Sequence, residues 1–128
     1  MDQRTHGQIA RHLCGHPIEL HPGHARVALD AAREMAADER GLVHDGFTFG
    51  LADYAAMLAV NEPTVVLASA QTKFLGPVVV GDRLEAEATV ERTDGTQHWV
   101  KVFVRRAGVP VLEGDFLVVV PDKHILDR

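Results

Sequence analysis

Residues 47–60 are the longest apolar stretch of the chain, and their apolar positions fall on every side of a helix. Eleven of these 14 residues are apolar, which is typical of a helix surrounded by protein. Asp45 precedes the stretch, and Asn61 and Pro63 follow it as stop signals. The pattern therefore predicts a buried helix over 47–60, whose only charged residue is Asp53.

After Pro63 the pattern changes from helical to strand-like. We predict four strands, at 64–74, 83–92, 97–106 and 110–120. In the two middle strands apolar and polar side chains alternate, which indicates one buried and one exposed face. The positions predicted to face the core are Leu84, Ala86, Ala88, Val90, Val100, Val102 and Val104.

The loop between the two middle strands sets their register. A two-residue loop at Asp94-Gly95 would place Ala88 opposite Lys101, with the lysine on the core side. A three-residue loop at 93–95 instead pairs Ala88 with Val100, so we predict the longer loop. Trp99 and Phe103 then lie on the outer face of the sheet, and we expect a surface such as another subunit to cover them.

The first 40 residues carry weaker signals. Residues 5–8, Thr-His-Gly-Gln, have the form of a capping box, which predicts a short N-terminal helix at 5–14. We predict strands at 17–22 and 24–31, and then a loop with one helical turn. Together the elements predict a single α+β domain over 1–128, in which one long central helix lies against an antiparallel sheet of five to six strands.

Composition and charge exclude several classes of function. With 128 residues, 46% apolar and 24% charged, the chain has the composition of one globular domain. The net charge of −5 argues against a nucleic-acid-binding protein, which needs a basic face. No apolar run approaches the roughly 18 residues of a membrane-spanning helix, and the start of the chain has no apolar signal segment. We therefore expect a cytoplasmic protein with neither a membrane nor a nucleic-acid partner.

Cysteine and histidine content bears on disulfide and metal chemistry. Cys14 is the only cysteine, so the chain can form neither an internal disulfide nor a cysteine-based zinc site. Five of the eight histidines lie in the first 24 residues, without a cysteine partner or a fixed spacing for metal ligands. We expect surface histidines and no bound metal.

Asp53 is the first candidate for chemistry, because a carboxylate in an apolar helix is costly unless something compensates it. One interpretation is a structural acid that caps backbone N–H groups or pairs with a buried arginine. The other is a general base or nucleophile whose pKa is tuned by a dry environment. The pattern around Asp53 is compatible with both.

The start of the same helix is the second candidate. Backbone N–H groups at a helix start are unpaired and carry the positive end of the dipole, so those after His44 suit a developing oxyanion. Gly46 would let a substrate approach the backbone closely. Asp45 and Asp53 are eight residues apart, which is about 12 Å along one helix. Both can act on one carbonyl only if they come from two helices, so we predict a homodimer with composite active sites.

Residues 44–53, His-Asp-Gly-Phe-Thr-Phe-Gly-Leu-Ala-Asp, resemble the HGG-x5-[LA]-x-D segment of hotdog-fold acyl-CoA thioesterases, close to their phenylacetate-pathway branch. The resemblance continues through 68–70, 74–77 and 81–82 and covers about 40–121. It implies a hotdog fold, in which a curved antiparallel sheet wraps a long central helix, paired into a homodimer or a homotetramer. It also implies hydrolysis of acyl-CoA thioesters without a metal or an organic cofactor.

The resemblance implies roles for individual residues as well. Asp53 corresponds to the acid that activates water or attacks the carbonyl carbon. The amide of Asp45 corresponds to the group that polarises the thioester oxygen, while His44 orients this loop and Gly46 belongs to the same oxyanion element. The chain departs from the pattern at Asp45, which replaces the first glycine of HGG, and at Asp38, where relatives commonly carry asparagine.

Further residues are candidates for substrate binding. Phe47, Tyr54 and Met57 either line an acyl pocket or pack in the core. Ser69 either binds the nucleophilic water or bonds to the backbone of its own strand. Basic side chains suit the CoA phosphates. The basic candidates are Lys73, Arg83, Lys101, Arg105 and Arg106.

The resemblance leaves a second function open, that of a noncatalytic protein that binds acyl-CoA. Asp53 favours the enzyme, whereas Asp45 and Asp38 favour the alternative. A hotdog dehydratase is disfavoured, because the central helix has no D-x4-H arrangement. We therefore predict an acyl-CoA thioesterase that releases the free acid and CoA.

Overall fold

Two helices and six strands follow one another along residues 1–127, the part of the chain that this computed structural model describes. In chain order they are α1 (Arg11–Cys14), β1 (His16–His21), β2 (His24–Asp30), α2 (Asp45–Val60), β3 (Val66–Phe74), β4 (Arg83–Asp94), β5 (Gln97–Arg106) and β6 (Val109–Val119). A 3-10 turn at Arg33–Met35 lies in the loop after β2, where one helical turn is predicted.

Helix α2 is the predicted apolar helix, with two more residues at its start. His44 precedes it in an extended conformation, and Asn61 ends it in the left-handed conformation with a φ of 53°. The Asn61 N–H donates to the Met57 carbonyl at 2.8 Å, which closes the last turn. Within residues 1–127 no helix, α2 included, is long and apolar enough to cross a membrane.

The six strands form one antiparallel sheet in the order β1-β2-β4-β5-β6-β3. All six strands contact α2, so the sheet curls around the helix, as an amphipathic sheet does when it covers a single apolar element. Strands β1 and β3 are the two edges. The predicted α+β arrangement of one long helix against an antiparallel sheet is confirmed.

The core lies between α2 and the inner face of the sheet. Of the seven sheet positions predicted to face the core, six are at most 1% exposed and Val90 is partly buried. On the helix side the core is filled by Leu51, Met57 and Leu58, which are also at most 1% exposed. The alternation in the two middle strands therefore assigned their faces correctly.

The predicted register of the two middle strands is wrong. Ala88 pairs with Val102, two residues beyond the predicted partner, and Asp94 pairs with Gln97, so the loop has two residues instead of three. The register shifts at Glu91, which is the extra residue of a β-bulge. A two-residue loop and a one-residue bulge together preserve the alternation of faces, which is why the burial pattern could not distinguish the two registers.

The aromatic side chains of the outer face are covered by the sheet's own basic residues. The Arg92 guanidinium lies 3.7 Å from the centre of the Trp99 ring, and the Arg105 guanidinium lies 4.9 Å from that of Phe103. Such cation–π contacts shield part of an aromatic face from water. The structure thus provides a cover for both rings within the same chain.

The predicted helix at 5–14 is wrong in its first half, because α1 comprises only Arg11–Cys14. The Thr5 hydroxyl is hydrogen-bonded to His6 Nδ1 at 2.8 Å instead of capping a helix. His6 itself has a φ of 58°, in the left-handed region, which interrupts any helix there. We refer to residues 2–10 as the N-terminal segment.

Contacts with α2 explain why the capping box does not form. The Gln3 amide donates to the Tyr54 hydroxyl at 3.0 Å. The Asn61 amide donates to the Asp2 carbonyl, and its Oδ1 accepts from the Arg4 N–H, each at 2.8 Å. These bonds tie residues 2–4 to α2, and tertiary bonds of this kind override a local capping preference.

Candidate functional site

Asp53 lies in the middle of α2 without a partner. Its Oδ1 atom is fully buried and has no hydrogen bond to any other residue of 1–127. Burial raises the pKa of its carboxyl from 3.8 to about 6, because a low-dielectric environment disfavours the charged form. The interpretation of Asp53 as a structural acid paired with a buried arginine therefore has no support in the described residues.

One face of α2 is left open by the sheet and the N-terminal segment. From Leu51 to Ala59 every residue except Asp53 is buried, whereas the first turns are partly exposed. The exposed or partly exposed positions Asp45, Phe49 and Asp53 are four residues apart and so share one helix face. We call this the open face of α2. Asp45 and Asp53 both belong to α2, so their eight-residue separation corresponds to about 12 Å along the helix axis.

The His44 ring lies directly over Gly46. A Cβ atom added to Gly46 would lie 2.9 Å from Nε2 and 3.0 Å from Cδ2 of that ring, which is closer than van der Waals contact allows. The loop that carries His44 is itself held by a hydrogen bond from the His44 N–H to the Met35 carbonyl at 2.9 Å. Only glycine at position 46 is compatible with this position of the ring.

The start of α2 presents two unpaired backbone donors. The Phe47 N–H donates to the His44 carbonyl at 3.0 Å, but no acceptor among the described residues binds the N–H groups of Asp45 and Gly46. Such groups point away from the helix and favour a negative charge. The Asp45 side chain is exposed beside them.

Asp38 has a structural role in the preceding loop. Its Oδ1 atom accepts from the Arg40 N–H at 3.0 Å and from the Leu42 N–H at 3.1 Å. The Oδ1 atom of an asparagine can accept the same two bonds. The departure from the thioesterase pattern at this position is therefore compatible with an unchanged loop.

Two of the candidate substrate residues lie in the interior. Tyr54 and Met57 are each 1% exposed, and the Tyr54 hydroxyl lies under the N-terminal segment, where Gln3 donates to it. This placement favours core packing for both residues. Phe47 is partly buried, with its ring 6.2 Å from that of His44 in an edge-on arrangement, so it remains beside the helix start.

Ser69 and Lys73 lie on β3, an edge strand with one unpaired side. Both residues are exposed. Of the five basic candidates, Lys73 has no ion pair within residues 1–127. The other four pair with carboxylates, as Arg83–Asp30, Lys101–Asp115, Arg105–Glu87 and Arg106–Asp82. Lys73 is therefore the candidate cation that is available to a ligand.

The sequence interpretation missed the proximity of Cys14 to Asp53. Burial, with a smaller contribution from the charge of Asp53, raises the pKa of the Cys14 thiol. The two residues are 39 positions apart and come near each other because α1 packs against α2, and no local pattern signals this proximity. In the described part of the chain, no group of three or more histidine, cysteine or acidic side chains is arranged to hold a metal ion.

Solved structures with similar folds include two that bear on this site. The uncharacterized protein PH1136 from Pyrococcus horikoshii has a TM-score of 0.98 and 54% identity, covering 99% of this chain and 98% of that one. A mutant of the phenylacetic acid degradation protein PaaI from Thermus thermophilus has a TM-score of 0.78 and 29% identity, covering 85% of this chain and 95% of that one. The expected hotdog fold is therefore confirmed.

Two curated relatives are longer proteins. A methylthioribose-1-phosphate isomerase from Aquifex aeolicus is 47% identical over 119 residues, which are 93% of this chain but 26% of the relative. The transcription factor FapR from Thermoanaerobacter sp. is 27% identical over 117 residues, which are 91% of this chain and 58% of the relative. The chain thus spans about a quarter of the first protein and three-fifths of the second.

The family assignment rests on a match to a family model over more than half of the chain. That model describes the thioesterase superfamily and matches residues 40–113, which contain α2 and the strands from β3 to β5. Together with the likeness to PaaI, it shows that this chain belongs to the thioesterase superfamily, in the PaaI-like branch of the hotdog fold.

Proposed function

We propose that this protein is an acyl-CoA thioesterase that hydrolyses its substrate to the free acid and CoA. The observation that carries the proposal is the unpaired, buried Oδ1 of Asp53 on a helix whose start has two unpaired N–H donors. A carboxylate with a pKa near 6 is a suitable base at neutral pH, because it is ionised and still holds a proton firmly enough to take one from water.

The reaction follows from these groups. Asp53 takes a proton from a water molecule as the water oxygen attacks the thioester carbonyl carbon. The carbonyl oxygen becomes an oxyanion, to which the N–H groups of Asp45 and Gly46 donate. When the tetrahedral intermediate collapses, the C–S bond breaks, and the CoA thiolate takes the proton back from Asp53. Direct attack by the Asp53 carboxylate, followed by hydrolysis of the anhydride, uses the same groups.

Two chains are needed to assemble this site. A base and an oxyanion donor must both lie within roughly 3 Å of the reacting group, whereas the two elements lie about 12 Å apart on one α2. The proposed dimer pairs the base of one protomer with the helix start of its partner. The unpaired edge of β3 offers a surface for this contact, together with the exposed side chains at its end, Phe74 (46% exposed) and the following Leu75 (50% exposed).

The proposed roles of the remaining residues follow from their exposure. His44 holds the helix start in position through its packing over Gly46, and Phe47 contacts the acyl group. Lys73 binds a CoA phosphate, since it is the basic candidate without an ion pair among the described residues. Ser69 contacts the water or the substrate from β3.

A noncatalytic acyl-CoA-binding protein is the second candidate. Two observations favour it. The Asp45 carboxylate adds a negative charge beside the oxyanion donors, which opposes the transition state. In addition, this chain is similar to part of FapR, a protein that is named as a transcription factor.

A hydrolysis assay with matched variants separates the two candidates. The wild-type protein, Asp53→Asn and Glu87→Gln are each incubated with short, medium and aryl acyl-CoA thioesters, and the released CoA thiol is measured. We expect Asp53→Asn to lower the rate by about 10²- to 10⁴-fold while dimer mass and acyl-CoA binding persist. Glu87→Gln, on the outer face of the sheet, serves as the control for loss of a carboxylate.

The outcomes differ clearly. Equal rates of CoA release by the wild type and Asp53→Asn would exclude Asp53 as the base or nucleophile. Micromolar binding by the wild type without turnover of any thioester would favour the binding protein.

A further inference from the structure

The two carboxylates of the open face lack positive partners. Asp45 is exposed at the first position of α2, and neither it nor Asp53 forms an ion pair with any residue of 1–127. In contrast, four carboxylates on the outer face are bound by arginine, lysine or histidine, namely Glu19, Glu85, Glu87 and Asp115. A ligand that occupies the open face therefore meets two carboxylates that form no ion pair with the basic side chains of residues 1–127.

The position of Asp45 brings this charge close to the acyl chain. A carbonyl oxygen that accepts from the Asp45 N–H lies about 3 Å from that nitrogen, and the carboxylate belongs to the same residue. A second charge a few carbons along the acyl chain then falls inside the roughly 8–10 Å over which charges interact at moderate salt. In the composite site the Asp53 carboxylate of the second protomer adds to the same negative potential.

The third residue of the open face is aromatic. Phe49 is partly exposed, and its ring stacks on that of Phe116 with centroids 5.6 Å apart. Phe47, two positions after Asp45 and therefore off the open face, is partly exposed beside the His44 ring. Aromatic surfaces of this kind favour aliphatic or aryl groups and offer no compensation for a buried charge.

We infer, on the basis of the proposed thioesterase activity, that the Asp45 side chain restricts the substrates to thioesters of uncharged, apolar acids and excludes acyl groups that carry a second carboxylate. Glycine at this position, as in the HGG pattern that residues 44–46 resemble, would keep the backbone donor without the charge. Asp45 thus acts on selectivity through its side chain while its N–H takes part in the reaction.

Hexanoyl-CoA and adipoyl-CoA provide a matched pair of substrates, because they have the same six-carbon chain and differ by one terminal carboxylate. The measured quantity is the ratio of their kcat/KM values. We expect the wild type to prefer hexanoyl-CoA, and Asp45→Asn to lower that preference by on the order of tenfold. Asp45→Glu keeps the charge and should retain the preference. Raising the salt concentration should weaken the preference of the wild type more than that of Asp45→Asn.

The ratio separates this inference from the proposed function. Hydrolysis with the same preference in the wild type and Asp45→Asn would overturn the role of the Asp45 charge and leave the thioesterase in place. If no thioester is hydrolysed, the thioesterase proposal fails. The inference is then tested by calorimetric measurement of the Kd values of hexanoyl-CoA and adipoyl-CoA. The same ratio of the two Kd values in the wild type and Asp45→Asn would overturn it.

Discussion

Four carboxylates on the outer face of the sheet form ion pairs, whereas the two carboxylates on the open face of α2 form none with residues 1–127. On the outer face, Arg26 donates to both Glu19 and Glu85, while Arg105 and His24 donate to Glu87. On the open face, the Oδ1 atom of Asp53 is buried and has no partner in the described residues. The exposed network contributes little stability per pair, whereas a buried carboxylate without a partner has a cost.

This difference helps to distinguish structural charges from functional ones. A paired surface carboxylate can be retained for register or solubility alone. An unpaired carboxylate in a buried helix lowers the stability of the fold, so its presence is better explained by chemistry at that position. Four further experiments test the contrast, from the largest expected effect to the smallest.

The largest effect is expected from Gly46→Ala, which acts on the open face by displacing the His44 ring. The added Cβ would lie 2.9 Å from His44 Nε2, so the ring or the helix start must move. We expect kcat/KM to fall by on the order of 10- to 100-fold, because a misplaced oxyanion donor loses most of its effect. Steady-state hydrolysis of the preferred acyl-CoA measures this change.

A double-mutant cycle shows whether the glycine acts through the histidine. If it does, the double variant should have nearly the same kcat/KM as His44→Ala alone, because the ring that would clash with the new Cβ has been removed. Fully additive losses would show that Gly46 acts through contacts other than the His44 ring.

The second prediction concerns the pH dependence of hydrolysis. Burial raises the pKa of Asp53 to about 6, and a base must be deprotonated to act. Activity should therefore rise with pH through a midpoint near 6, by about tenfold between pH 5 and pH 7. The pH profile of kcat/KM reports this group in the free protein.

Glu87→Gln is the control for this profile and should leave the midpoint unchanged. Its carboxylate is paired on the outer face of the sheet, away from α2. A wild-type profile that is flat between pH 5 and pH 7 would contradict a base with the raised pKa.

The contrast between the two faces also marks how far the sequence could predict the structure. Eleven apolar residues around one charge identified both α2 and Asp53, because a helix that is apolar on every side has to be buried. The same uniform apolarity gave no indication of which helix face stays open. For this reason Tyr54 and Met57 could be proposed for the acyl pocket, although both lie in the interior.

Tertiary contacts account for the other differences. The bulge at Glu91 changes the strand register without changing the alternation that the sequence displays. The bonds of Asn61 to the backbone of Asp2 and Arg4 tie the N-terminal segment to α2, and the predicted capping box does not form. Neither the bulge nor these bonds have a local signature, because each depends on residues brought together by the fold.

The third prediction is that Asp53→Asn stabilises the fold at neutral and higher pH. The folded-state pKa of Asp53 is raised above its unfolded value, so the folded state binds the proton more tightly than the unfolded state does. The free energy of unfolding therefore falls as pH rises from about 4 to about 6. A neutral amide of the same shape avoids this loss. We expect a gain of about 1–2 kcal/mol at pH 8, discounted for the partial exposure of the group.

Denaturant unfolding at fixed protein concentration measures this gain at pH 8 and at pH 4.5. The difference between the wild type and Asp53→Asn should shrink at the lower pH, where the folded wild type already holds the proton. A loss of stability at pH 8 would instead identify Asp53 as a structural acid.

The smallest effect, and one of opposite sign, is expected from Glu87→Gln on the outer face. Hydrogen bonds from His24 and Arg105 hold the pKa of Glu87 below its usual value, so its pairing stabilises the fold above about pH 4.5 and is lost as pH falls through the lowered pKa. Because the side chain is 39% exposed, we expect a loss below about 1 kcal/mol at pH 7. Denaturant unfolding at low and high salt should show this loss shrinking with salt, whereas the gain from Asp53→Asn, which arises from burial, should persist.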